Sequence, residues 1–198
     1  QEAYQKWLVE EGERTHVPPF VVGFNCPFAE PAPYEITEKE ITACDAEVAV
    51  YVISRNSGEG ADRKCKEGDF LLYDSELESI KRLAASDKKL VVVLNIGGVM
   101  QLTELKAVDG VDAIVLMSQL GNLGGNALVD LLTGAVNPSG KLSDTWARDY
   151  QDYPSAATFS HNNGNVDDEY YNEGIYVGYR YFDSFGVKPL YPFGYGLS

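Results

Sequence analysis

Three short runs of apolar residues stand out between positions 48 and 117: Val48 to Ile53, Leu90 to Leu94 and Ala113 to Met117. Each is rich in β-branched residues and unbroken by polar ones, the pattern of strands buried in a parallel sheet. Between them the apolar positions change period. Leu77, Ile80, Leu83 and Ala84 recur at helical spacing after Asp74 or Ser75, either of which can cap a helix running to about Ser86. Further helices are expected near Gln101–Lys106 and over Asn126–Thr133, and Thr37 with Glu40 forms a capping box for a short helix to about Cys44. Strand and helix alternate, so the expected architecture is α/β: a three-layer sandwich with a mostly parallel sheet and helices on both faces.

The flanks break this rhythm. Residues 1–14 read as a helix with Trp7 and Leu8 on its apolar face, and five prolines from Val17 to Pro33 preclude regular structure there. Residues 147–174 are polar and acidic, with Asn162–Asn165 as an exposed turn. Ile175 to Phe182 then alternates like a strand, giving an antiparallel or extended C-terminal segment. Ten of the residues from Tyr170 to Tyr195 are Tyr or Phe, so this tail must pack against its own domain or a neighbouring one. We read the chain as one domain, a fragment of a longer enzyme: an irregular 1–34, a βα core at 35–146 and an aromatic-rich tail at 147–198.

Composition narrows the chemistry. The chain has 198 residues, 44% hydrophobic and 23% charged, enough to bury roughly 70% of its unfolded surface. A formal charge of −14 opposes nucleic acids, phosphorylated ligands and anionic membranes as partners. Three scattered cysteines (Cys26, Cys44, Cys65) fit neither a disulfide framework nor a zinc site, and two distant histidines (His16, His161) leave no triad or His-based metal centre. No metal or cofactor is expected. The odd cysteine count suits a reducing, cytoplasmic setting, with secretion left open because the sequence starts without Met.

The stretch most suggestive of chemistry follows the first apolar run: Arg55-Asn-Ser57-Gly58-Glu59-Gly60-Ala-Asp62-Arg63. It falls where the strand would end, and ligands of open α/β sheets bind beyond the carboxyl ends of strands. Glycine on each side of Glu59 lets the backbone turn sharply and leaves room for close approach. By spacing alone Glu59 is either an acid/base catalyst or a solvated loop carboxylate paired with Arg55 or Arg63, structural ion pairs being the commoner case. Arg55, Ser57, Gly58, Gly60, Asp62 and Arg63 are loop-shaping or substrate-adjacent, and Asp62 and Arg63 fit the first role better. Gly97-Gly98 and Gly121–Gly125 match no phosphate-binding pattern.

Five motifs occur in order: Ser54–Arg63, Asn122-Leu-Gly-Gly-Asn-Ala-Leu128, Val136-Asn-Pro-Ser-Gly-Lys-Leu142, Gly174-Ile-Tyr-Val-Gly-Tyr-Arg-Tyr-Phe-Asp183 and Pro192-Phe-Gly-Tyr-Gly-Leu-Ser198. Together, over about residues 35 to 198, they resemble the α/β sandwich domain of glycoside hydrolase family 3, particularly its bacterial β-glucosidases. The resemblance implies a retaining hydrolase of β-glucosidic carbohydrate. Its nucleophile is an aspartate in a separate barrel domain, and its acid/base is the Ser-Gly-Glu-Gly glutamate, here Glu59. Such a pair of carboxyls works at about 5–5.5 Å separation. The earlier strand–helix unit, whose serine contacts the sugar in the family, has no counterpart in this sequence, so no sugar contact beyond Glu59 carries over. The implied partners are the barrel and a following fibronectin-like domain, and the chain alone is expected to be inactive. The rival reading is a non-catalytic module that binds a small neutral ligand or a protein on the same loops.

Overall fold

A computed structural model describes residues 5–6, 9–10, 33–55 and 62–198. Trp7, Leu8, the proline-rich segment to residue 32, and Ser57, Gly58, Glu59 and Gly60 lie outside the described residues. The predicted alternation is present as β1 (Val48–Ser54), β2 (Lys89–Asn95) and β3 (Val111–Leu116), joined in a parallel sheet in that order. Val48 pairs with Lys89 and Ser54 with Asn95, so β1 and β2 end level, which places their following loops side by side. One irregularity between Leu90 and Val91 shifts the β2–β3 register.

Helix α1 (Glu38–Ala43) starts where the capping box requires. Glu40 N–H donates to Thr37 Oγ1 at 3.4 Å, and Thr37 N–H to Glu40 Oε2 at 2.9 Å. Helix α2 (Asp74–Ala84) links β1 to β2, and α3 (Thr103–Lys106) links β2 to β3. The cap of α2 differs from expectation. Tyr73 occupies the N-cap without a side-chain bond, and Glu76 reaches back to its N–H at 2.9 Å. Ile80 and Leu83 pack onto Tyr51, Ile53, Leu90, Val92 and Leu94, and with Met100, Leu102, Leu105, Trp146 and Leu190 they form the core. Helix α4 (Gly124–Leu132) begins two residues before the expected start.

Burial along the strands is less uniform than their composition implies. Central β2 buries Val92, Val93 and Leu94 in succession, as a strand covered on both faces should. β1 instead alternates: Tyr51 and Ile53 face the core, while Val48, Val50 and Val52 are exposed. Among the described residues β1 is an edge strand, and the helix packed on it, α2, lies on the Tyr51/Ile53 side.

The C-terminal part returns to the core as an extended, antiparallel segment. Trp146 N–H donates to Tyr191 O at 2.9 Å and Leu142 N–H to Tyr195 O at 2.9 Å, so residues 142–146 run against 190–195. The strand expected over Ile175–Phe182 does not form. Its second half is helix α5 (Tyr179–Phe185), bounded by Gly178 and Gly186, both at positive φ. The i, i+3 spacing of Tyr179, Phe182 and Phe185 wins over the two-residue alternation, because a helix directs Phe182 alone into the core. Asn162 and Asn163 are exposed, as a turn should be.

Candidate active site

The three strands deliver their ends to one place. Arg55 N–H, just past β1, donates to Asn95 O at 3.2 Å, and Met117 N–H, just past β3, donates to Leu94 O at 3.0 Å. Gln119 donates through Nε2 to Arg55 O at 3.1 Å, tying the loop after β3 to the root of the loop after β1. Between Met117 and Gln119, Ser118 adopts φ 59°, a left-handed conformation uncommon for a non-glycine residue. Arg55, which directly precedes residues 56–61, therefore sits at the carboxyl ends of a parallel sheet.

Two arginines flank residues 56–61 in sequence. Arg55 is buried and meets Glu76 in a bidentate pair, Nη1 to Oε1 at 2.8 Å and Nη2 to Oε2 at 2.6 Å. Its Nε donates to Asp69 O at 3.1 Å, Nη1 also to Ser54 O at 2.8 Å, and Nη2 also to Leu71 O at 3.1 Å. A guanidinium has five N–H donors, and these contacts use all of them. Among the described residues, all of the Arg55 donors are thus turned into its own domain.

Arg63, half-buried on the other side of the loop, donates through Nε to Asp69 Oδ1 at 2.8 Å, through Nη2 to Asp69 O at 2.8 Å and through Nη1 to Val99 O at 2.5 Å. The side chains of Arg55 and Arg63 consequently converge on one carbonyl, that of Asp69. Lys64 N–H donates to the second carboxylate oxygen of Asp69 at 2.6 Å, completing the clamp. Two glycines make room for it. A Cβ on Gly98 would come 3.2 Å from Arg63 Nη1, and one on Gly68, at φ 75°, would overlap the Tyr73 ring that lies 5.7 Å from the Arg55 guanidinium carbon. Asp62 is exposed beside the loop.

Two neighbouring titratable groups are shifted upward. Burial, then the Glu76 carboxylate, holds the Tyr51 hydroxyl above its ordinary range. Partial burial, then Asp149 and Asp69, pushes the Cys65 thiol up, the wrong direction for a nucleophile. No group of three His, Cys, Asp or Glu side chains among the described residues is arranged to hold a metal. The best-formed hollows among the described residues sit at the opposite end of the sheet, lined by Ile41, Ala46, Ser86 and Lys88 or by Leu77, Ala107 and Asp109.

Sequence reasoning located Arg55 and Arg63 but missed Glu76, Asp69 and Gln119. Glu76 carried one readable signal, its position three residues after the chain turns into α2. Asp69 and Gln119 act through contacts with no local spacing rule.

Comparison with known proteins bears on the family and the fold. The model of the glycosyl hydrolase family 3 C-terminal domain matches residues 5–179. β-Glucosidase A of Butyrivibrio fibrisolvens is 41% identical over 181 residues, which cover 79% of this chain and 21% of that protein. Among solved structures, β-glucosidase 3B from Thermotoga neapolitana in complex with glycerol superposes with a TM-score of 0.80 at 41% identity, covering 100% of this chain and 27% of its own. A β-glucosidase from Paenibacillus barengoltzii gives 0.78 at 32% identity, covering 100% and 21%. The chain thus spans about a fifth to a quarter of the length of these relatives.

Proposed function

Since the chain belongs to glycoside hydrolase family 3, as a C-terminal domain of its β-glucosidase-type members, we propose that it brings the general acid/base, Glu59, to an active site that a second, nucleophile-bearing domain completes. The observation that carries this reading is the convergence of two arginines that flank residues 56–61 in sequence: Arg55, just past the carboxyl end of β1, and Arg63 both donate to the Asp69 carbonyl.

Retaining hydrolysis of a β-glucoside needs a carboxylic acid to protonate the departing oxygen and, as carboxylate, to take a proton from the water that releases the glycosyl-enzyme. A short loop pinned at both ends restricts where its carboxyl can go, which favours orientation over reach. Arg55 and Arg63 are positioning residues in this scheme, because their N–H groups are directed into the domain. The glycines on either side of the glutamate carry no side chain that would stand between it and a substrate.

The test places this chain in the matching segment of the Thermotoga neapolitana β-glucosidase 3B. Glu59→Ala is expected to lower turnover of substrates with poor leaving groups by about 10²–10⁴-fold, the usual worth of a positioned acid/base. Activated aryl glucosides should still release their first product, and azide should restore part of the rate, since it attacks without a general base. An unchanged rate in the alanine variant would instead favour a non-catalytic loop.

A further inference from the structure

The turn at Asn162–Asn165 has no part in the hydrolase scheme, yet it carries a reactive pair. Among the asparagines of the chain only Asn163 is followed by glycine. Asn163 and Gly164 are both exposed, and Gly164 sits at φ 78° with no atom within 4 Å of where a Cβ would stand. Nothing therefore crowds the approach of the Gly164 amide nitrogen to the side chain before it. Two hydrogen bonds act on this pair in opposite senses. Asn165 N–H donates to Asn163 Oδ1 at 3.0 Å, which folds the carboxamide back along the main chain and draws electron density from its carbon. Gly164 N–H donates to His161 O at 2.8 Å, which withholds the proton that nitrogen must lose before it can attack. The turn is held lightly. Ser160 and His161 just before it have φ 53° and 59°, costly for residues other than glycine, and the Asn165–Asn163 bond is exposed to water.

We propose that Asn163 is a site of spontaneous deamidation, and that opening of the 161–165 turn sets its rate. When the turn opens, hydroxide takes the Gly164 amide proton and the nitrogen attacks Asn163 Cγ. The new C–N bond closes a five-membered succinimide, and the side-chain nitrogen leaves as ammonia, protonated by water, which regenerates the hydroxide. A second water opens the ring at either carbonyl. One route gives aspartate; the other gives isoaspartate, whose main chain runs through the former side chain. The balance is one water in and one ammonia out, with no oxidant or reductant. Isoaspartate lengthens the main chain by a methylene right beside Asn162. That residue ties the loop to the domain, donating through Nδ2 to Ala156 O at 3.0 Å and to the Tyr150 hydroxyl at 3.2 Å. The Tyr150 ring in turn packs on Phe70, with centroids 5.1 Å apart. Conversion at Asn163 is therefore expected to loosen this attachment.

The test incubates the full chain in mildly alkaline buffer, folded and in concentrated urea, and maps its peptides by mass spectrometry. Replacing ammonia by water adds a single mass unit, and chromatography separates the aspartate and isoaspartate products. The gain is expected on the peptide that contains Asn163 in both samples, about tenfold slower in the folded chain, as for a surface turn whose opening costs little. Its rate should rise with pH, because the nitrogen must be deprotonated. Asn163→Gln, whose longer side chain does not close a five-membered ring, should lose the gain. The urea midpoint of the parent should fall with incubation time while that of the variant holds. Full conversion in urea with none in the folded chain would overturn the proposal, since the turn would then shut the site completely. Equal rates in the two samples would overturn the control by the turn. A gain at other asparagines with Asn163 intact would overturn the site itself.

Discussion

The Arg55–Glu76 pair shows how one residue can serve stability and site geometry in separable ways. Both side chains are almost fully buried, at 3% and 2% exposure, and removing one leaves the other charge without compensation. Glu76→Ala is therefore expected to destabilise the chain by about 3–5 kcal/mol in urea unfolding. Arg55→Met combined with Glu76→Leu should recover most of that loss, because well-packed apolar residues can replace a buried pair at little net cost. The double variant still lacks the bonds from Arg55 to Asp69 O, Ser54 O and Leu71 O. Near-normal stability with reduced chimera activity would separate the positioning role from the structural one, whereas full activity would confine Arg55 to stability.

At the scale of the element, the α1 cap makes a prediction with a definite sign. Hydrogen bonds from the Thr37 side chain, then from its backbone, hold the Glu40 carboxyl below its ordinary value of 4.5. The folded state therefore binds fewer protons at Glu40 than the unfolded one. The cap's contribution is fully present above pH 4.5 and is lost as pH falls through the lowered value. Comparing unfolding midpoints at about pH 6 and pH 3, Glu40→Gln should show a smaller drop than the parent chain. An equal drop would mean that Glu40 does not couple to folding. This cap was legible in the sequence because it is set by residues three apart, and the strands were legible because apolar runs are local too. Helix α5 was not, since its aromatic residues satisfy both a two-residue and a three-residue period and only the burial of Phe182 decides between them. The exposed valines of β1 escaped for a related reason: a β-branched run identifies a strand but does not say which side is covered. The loop's place at the sheet's carboxyl end followed from strand order, while its anchors at Asp69 and Glu76 come from chain brought back in three dimensions.

For the molecule as a whole, catalysis by this chain on its own is a demanding test of the two-domain reading. A retaining mechanism needs a second carboxyl about 5–5.5 Å from the first, on the other side of the scissile bond. It also needs the acid protonated near neutral pH, which requires an apolar wall to raise its pKa above the reference of about 4.3. At the carboxyl end of the sheet the clamp spends its charges inward. Arg55 is bound to Glu76 and Arg63 to Asp69. Two hollows among the described residues open at the other end, one of them beside Ala46 and Lys88, where Lys88 Nζ donates to the carbonyls of Cys44 and Ala46. Purified 198-residue protein is accordingly expected to release no aglycone from an aryl β-glucoside above the buffer rate, while the same chain in the chimera does. If the isolated chain turned over such a substrate and lost that activity in Glu59→Ala, this domain would have to contain both carboxyls, and the division of labour proposed here would fail.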